Sequence, residues 1–408
     1  MAYRMKTALI FVSSFVISMG LPCLAVAAEG EKPAVTPYAD IRYRLEIVDQ
    51  DGLAQNASAS TLRVRAGLKS AEWNGLSALI EGEAIAAIGA QRYNDTINGR
   101  VAYPVVADPE DVLLNQAWVR WKPVTQFDIT AGRQAVNIDN QRWVGSVGWR
   151  QNDQTLDAVR ATARPAKGLA LDYLHSWRVN RVFGPDSPQG IWRNAAIHGT
   201  RLAYTIPNIG TISGYGYWLD LTSSPSSSSR TVGVRMAGEH VLSKAVKLTY
   251  AAEYARQHDY KSNPRNFALD HVLLEPGLAF GPVSVKAGLE RLEGNGTAAL
   301  QTPLATLHAF NGWADKFLTT PANGLRDLYL DAGYKFPKSG PLKGAGVRLA
   351  WHDFNATRLG IDYGQEWNAM LTMPINKHLT GIAKLARYNA RLFATDTTKL
   401  WFSLEAKF

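Results

Sequence analysis

The chain has 408 residues, with 44 Lys and Arg against 35 Asp and Glu, a formal net charge of +9 and one cysteine. The basic residues are scattered rather than gathered in a block, so nucleic acid is not an expected partner. A lone cysteine excludes an internal disulfide framework.

Residues 1–28 read as a secretory signal peptide. Arg4 and Lys6 supply the positive start, Thr7 to Met19 is mostly apolar, and Val26-Ala27-Ala28 offers the small residues of a cleavage site near Ala28. The apolar run is too short to span a bilayer. Cys23 falls in the removed part, and Pro22 before it argues against a lipoprotein. Without Arg4 and Lys6, 42 basic residues face 35 acidic ones, a net +7. That surplus serves solubility or attracts acidic ligands. No later apolar run approaches the roughly 20 residues of a membrane helix. An exported chain with 10% aromatic residues is then either a soluble β-protein or an outer-membrane barrel, and 29–408 is expected to form that one domain.

Taken in order, the mature chain alternates. In 37–48, Asp40, Arg42, Arg44 and Glu46 fall on one face and Ile41, Tyr43, Leu45 and Ile47 on the other. In 59–72, Arg63 and Arg65 oppose Leu62, Val64 and Ala66. About 18 such segments follow one another to 396–408, each near the length of a transmembrane strand. Connections alternate too. Short turns such as Glu72-Trp73-Asn74-Gly75 and Lys122-Pro123-Val124-Thr125 alternate with longer loops such as Arg92–Asp111, Val136–Asp153 and Asn295–Gly324. Short turns on one side and long loops on the other predict an all-β transmembrane antiparallel barrel. An even strand count places both termini on the short-turn side.

Gly132 to Arg160 is the densest stretch, GRQAVNIDNQRWVGSVGWRQNDQTLDAVR. Its amides and guanidiniums can bind hydroxyls and carboxylates, and Trp143 and Trp149 can stack on sugar faces or Arg planes. The loop is expected to fold inward, with Arg142 and Arg150 facing a permeating anion and Asp139 paired with one of them. In 295–324, Leu304, Leu307, Phe310, Trp313, Phe317 and Leu318 recur at helix-like intervals, which predicts a short amphipathic helix. The last strand ends on Phe408, resembling the assembly signal read by barrel assembly machinery.

If apolar faces look outward, Arg42, Arg44, Arg63, Arg65, Arg120, Arg160, Arg178, Arg201 and Arg348 line the lumen by alternation. Such a lining either pairs with inward carboxylates to stiffen the wall or selects anions. No catalytic residue, cofactor site or metal-ligand cluster is expected. The pairs His258-Asp259, Asp270-His271 and His352-Asp353 are neighbours that point to opposite faces, so a rim-sited hydrolase is the weak alternative.

Three segments carry a resemblance: GRQ…DNQRWVGSVGWRQNDQTLDAV, NGWADKFLTTPANGLRDLYLDAGYKF (Asn311–Phe336) and the ending from DYGQEWNAML to Phe408. They resemble the alginate export family of outer-membrane barrels. That resemblance implies 18 strands and an arginine-rich lumen that passes an anionic polysaccharide; the expected molecule is a monomer set in outer-membrane lipid, with an anionic oligo- or polysaccharide as its partner. The residues matching its motif are Arg133, Gln134, Asp139, Asn140, Gln141, Arg142, Trp149, Arg150, Gln151 and Asn152, and of these Arg133, Arg142 and Arg150 join the candidate pore residues. A general or sugar-acid uptake porin, or a structural or adhesive barrel, remains open on the same scaffold.

Overall fold

The structure, a computed structural model, describes residues 34–337 and 339–408. The expected signal peptide lies outside the described residues. The strands are β1 (Val35–Gln50), β2 (Ala57–Ser70), β3 (Leu76–Ala87), β4 (Asp111–Val124), β5 (Phe127–Gln134), β6 (Thr155–Ala166), β7 (Leu169–Asn180), β8 (Ile191–Trp192), β9 (Ala195–Ile206), β10 (Gly210–Leu221), β11 (Ser229–Val241), β12 (Val246–Asp259), β13 (Ala268–Phe280), β14 (Val283–Leu292), β15 (Leu325–Lys335), β16 (Gly346–Asn355), β17 (Asp362–Pro374), β18 (Leu379–Ala390) and β19 (Thr397–Lys407). All but β8 are long. The two-residue β8 rides on the outer end of β7, and β7 pairs onward with β9.

Each long strand pairs antiparallel with the next, and β19 pairs with β1 from Asp40↔Lys407 to Gln50↔Thr397. The result is a closed 18-stranded barrel. Closure follows from the solvent, because an open edge in hydrocarbon would leave backbone N–H and C=O groups unpaired at several kcal/mol each. The termini meet on the short-turn side, where Phe408 N donates to Ala39 O at 2.9 Å.

Alternation sets what each face carries. On β1, Arg42, Arg44 and Glu46 point inward and are buried, while Tyr43 and Leu45 lie outward. Ile80, Leu202, Leu330 and Leu349 are among the exposed outward residues, and Trp73, Trp121, Tyr204 and Phe280 stand exposed near the short-turn rim. A soluble protein would hide such a belt, and a barrel in lipid presents it.

The barrel's apolar core is inside, not outside. Two long loops fold into the lumen. The first inner loop (135–154) joins β5 to β6, and the second (293–324) joins β14 to β15. Trp143 packs on Tyr215 and Tyr217, and Phe317 on Phe354 and Phe393. The helix predicted in the second loop does not form; there is only one turn of 3-10 helix, Leu307–Ala309. Asn311, Gly312 and Asp315 hold left-handed φ values of 52°, 83° and 61°, which interrupt a right-handed helix. The apolar side chains instead spread over several walls of the lumen.

Candidate transport path

The two inner loops are held by the wall and by each other. Arg42 of β1 donates through Nη1 to the carbonyl oxygens of Gly148 at 3.1 Å and Arg150 at 3.1 Å, while its Nε pairs with Glu405 at 2.8 Å. Arg65 of β2 pairs with Glu83 and reaches Asp153 at 2.8 Å. Gln151 Nε2 donates to Thr61 Oγ1 at 2.9 Å, and Asn152 Nδ2 to the Val182 carbonyl at 3.1 Å. On the far wall, Trp143 Nε1 donates to Glu253 Oε1 at 2.6 Å. Between the loops, Gly145 N donates to Leu304 O at 2.9 Å, Thr306 N to Gln141 O at 3.0 Å, and Thr306 Oγ1 to Gln141 Oε1 at 2.6 Å. Gly145 is required there, because a Cβ would collide with Thr306 Oγ1 and lie 2.7 Å from Gln141 Cβ.

At the centre sits Asp315. Its carboxylate accepts from His308 Nδ1 at 2.7 Å, Arg150 Nη2 at 2.9 Å and Lys399 Nζ at 2.9 Å. Burial alone would raise this carboxyl, but His308, Lys399 and Arg150 outweigh it and hold it well below the ordinary carboxylate range. Burial pushes His308 down to about 3, so the ring is neutral. Nδ1 carries its proton toward Asp315, and Nε2 accepts from Lys384 Nζ at 2.7 Å. Trp149 stacks on His308 at 4.8 Å between ring centres, with Arg44 and Lys384 over the same indole at 4.1 and 3.9 Å.

Above this knot, on the long-loop side, opens a vestibule of about 410 Å³. Its lining includes Arg150, Arg181, Asp315, Lys316 and Lys399, four cations and one carboxylate. Lys316 has an amide partner only, Gln50 Oε1 at 3.1 Å, and burial pulls its ammonium down to about 8. Arg181 donates to the Gln189 carbonyl at 3.0 Å and lies over Trp192 at 4.3 Å; burial weakens it to about 10, which leaves it charged at neutral pH. Tyr103, Val105, Phe183 and Leu318 give the walls an apolar character.

Within the lumen, cations outnumber the carboxylates they share on the β4–β9 wall. Asp128 is shared by Arg120 at 3.2 Å and Arg164 at 3.0 Å. Asp172 is shared by Arg160 and Arg201, both at 3.2 Å. Arg63 contacts Asp40 at 2.6 Å through one nitrogen, while its Nε and Nη1 have no protein partner. Arg348 pairs with Asp331 at 2.6 Å.

Alternation therefore places Arg42, Arg44, Arg63, Arg65, Arg120, Arg160, Arg201 and Arg348 inward as expected. Two arginines differ. Arg178 was expected inward, but a bulge between Asp157 and Ala158 in the β6–β7 register turns it outward. Arg133 shares the outward face of β5 with Phe127, Ile129 and Ala131, while Gln134 points inward and bonds the Ala158 carbonyl at 3.1 Å. Arg133 and Arg178 both pair with Asp157, away from the lumen. Asp139 binds neither Arg142 nor Arg150; it pairs with Arg201 at 2.6 Å. Arg142 is buried against Glu290 at 2.8 Å and Arg150 against Glu46 at 3.3 Å as well as Asp315. These two arginines lock the loops more than they face open water, although Arg150 also borders the vestibule. Asn140 Oδ1 accepts from Arg142 N at 3.3 Å, a local turn. Asp315, Lys316, Lys399 and Arg181 were not singled out from sequence. Asp315 and Lys316 lie inside the NGWADKFL stretch and Lys399 inside the ending, both of which carried part of the resemblance, and Arg181 lies in none of the resembling segments.

A family model for alginate export matches residues 38–259, more than half of the chain. No curated protein matches by sequence. Among solved structures, OccK1 (OpdK) of Pseudomonas aeruginosa superposes with a TM-score of 0.69 at 13% identity, covering 91% of this chain and 98% of that one. OpdK of the same organism, crystallised with vanillate, gives 0.69 at 14%, covering 91% and 98%. OccAB3 of Acinetobacter baumannii gives 0.70 at 12%, covering 92% and 99%. At such identities the likeness is one of fold. The closed barrel, its apolar outer belt and this family match together make the chain an outer-membrane channel that belongs to the alginate export family.

Proposed function

We propose that the channel passes small organic anions of sugar-acid size, acidic saccharides foremost, by diffusion through the vestibule as a monomer. The observation that carries this reading is the vestibule's charge, four cations against one carboxylate, two of the cations lacking any carboxylate partner. Its volume lies in the range of small-ligand sites, about 300–1,000 Å³. The two inner loops are bonded to each other inside the lumen, so threading a broad polymer requires that they withdraw. The OpdK structure with vanillate concerns a small carboxylate in a barrel of the same fold, which supports a similar size class here. The second reading, export of a polyuronate, draws on the family match.

Reversal potentials in a salt gradient across a planar bilayer test the charge preference. Anion selectivity that strengthens at low salt is expected, because screening is weakest there, and cation selectivity there would overturn the proposal. Adding monomeric and long uronates to the outer side separates the two readings. Small-anion passage requires flux of the monomer and block without passage by the long chain, whereas passage of the long chain would favour export.

A further inference from the structure

The outward face holds a charge pattern that transport does not use. Arg133 Nε donates to Asp157 Oδ1 at 2.7 Å and its Nη2 to Oδ2 at 3.0 Å, while Arg178 approaches the same carboxylate at 3.7 Å. Asn180 Nδ2 also donates to Asp157 at 3.1 Å. Two guanidiniums thus share one carboxylate. Both arginine side chains remain partly exposed, at 22% and 28%. Trp177, 43% exposed, stands beside them.

Position gives this cluster its meaning. Arg133 and Arg178 lie at the long-loop ends of β5 and β7. Outward arginines also occupy the long-loop ends of β11, β12, β14, β15 and β18, as Arg230, Arg256, Arg291, Arg326 and Arg387. Among the described residues, no strand carries an outward-facing Lys or Arg in its short-turn half. Four of the further five have an acidic partner of their own: Arg256 with Asp270, Arg291 with Glu293, Arg326 with Asp353 and Arg387 with Asp396. Asp157 is the carboxylate divided between two. Arginine's planar fork suits phosphate oxygens. An excess of such forks at one level, just above an apolar belt, matches a layer of phosphorylated lipid headgroups whose chains lie below.

We propose that the Arg133–Asp157–Arg178 cluster docks a phosphate of the glycolipid in the outer leaflet, with Trp177 against the sugar-to-chain boundary. The partner is the lipid headgroup, held by its phosphate and by the adjoining belt together.

The test uses full-length mature protein refolded in detergent, with bisphosphorylated lipid A as the probe, dephosphorylated lipid A as the first control and inorganic phosphate as the competitor. Binding is read by native mass spectrometry, and folding by heat-modifiable gel mobility. Removing two charge-assisted contacts at a half-wet site should weaken lipid A binding by about tenfold in the Arg133→Gln/Arg178→Gln double variant. Dephosphorylated lipid A should bind the wild type as weakly. Arg256→Gln, which breaks a one-to-one pair, should change binding less than about twofold. Unchanged lipid A binding by the folded double variant overturns the proposal. So does competition by inorganic phosphate at the concentration of lipid A, since the site would then read a free anion and not a headgroup. If the double variant fails to fold, Arg178→Gln alone, which leaves the bidentate Arg133–Asp157 pair intact, carries the same comparison.

Discussion

Asp315→Asn is the sharpest perturbation of the lumen. The substitution keeps the shape of the side chain and removes one charge. Arg150 would retain Glu46 at 3.3 Å, but the ammonium of Lys399, only 6% exposed, would lose its carboxylate. Removing one side of a buried ion pair costs about 3–5 kcal/mol, and the surviving Arg150–Glu46 contact argues for the lower end. The barrel wall does not depend on Asp315, so the cost falls on the packed state of the two inner loops. About 3 kcal/mol corresponds to a shift of roughly a hundredfold in their closed-to-open ratio. Single-channel recording should therefore show larger and noisier conductance in a variant that still runs as a folded barrel on gels. A carboxylate held below its ordinary pKa contributes stability that is present above about pH 4 and is lost only as pH falls through the depressed folded value. Wild-type channels should then keep their low-conductance state at about pH 5, where an unperturbed carboxylate is already beginning to take up protons. Wild-type conductance in folded Asp315→Asn would refute this account of what holds the loops.

Lys316 is charged below about 8, so anion preference measured by reversal potential should decline as pH rises through that value, and Lys316→Gln should abolish the decline. Gly145→Val should part the loops at Thr306 and raise conductance, with barrel assembly unchanged on gels. Arg133→Gln, facing away from the lumen, should leave ion selectivity as it is, whereas Arg181→Gln should weaken uronate block by about tenfold, as expected for one charge-assisted contact. Deleting Phe408, which caps the β1–β19 seam and stacks on His378 at 5.2 Å, should reduce the amount of barrel assembled in cells, read by surface protease protection.

The barrel was legible because its two signals are local. Period-two alternation marks Arg42 and Arg44 against Tyr43 and Leu45, and turn residues alternate with long loops. The inward face followed wherever the register ran unbroken. It failed at Arg178, where one extra residue in β7 moves a side chain to the other face, and bulges leave little trace in alternation. Arg133 was placed by its motif and not by its parity, which already pointed outward with Phe127 and Ile129. The pairing of Asp139 with Arg201 joins residues 62 positions apart, and Asp315 with Lys399 joins residues 84 apart. Such contacts depend on where a loop folds in space, which the spacing of residues along the chain does not encode. The helix expected in the second loop shows the same limit, because its apolar residues fit several walls of an interior, and a 3.6-residue period cannot distinguish that from one face.

Beside Glu253 and Glu290 in the middle of the barrel, several anchors of the interior come from both ends of the chain. Arg42, Glu46 and Arg65 belong to β1 and β2, while Lys384 and Lys399 belong to β18 and β19. These ends meet only when the seam between β1 and β19 forms. The inner loops are therefore expected to settle last, after the wall is complete, because contacts spanning so much sequence are slow to form. A stalled ring would carry loose inner loops open to proteolysis, whereas the finished molecule locks them with buried pairs that straddle its own seam. Time, on this view, is recorded in the lumen: resistance of residues 135–154 and 293–324 to an added protease should appear after strand formation is complete, as a separate and slower phase of refolding.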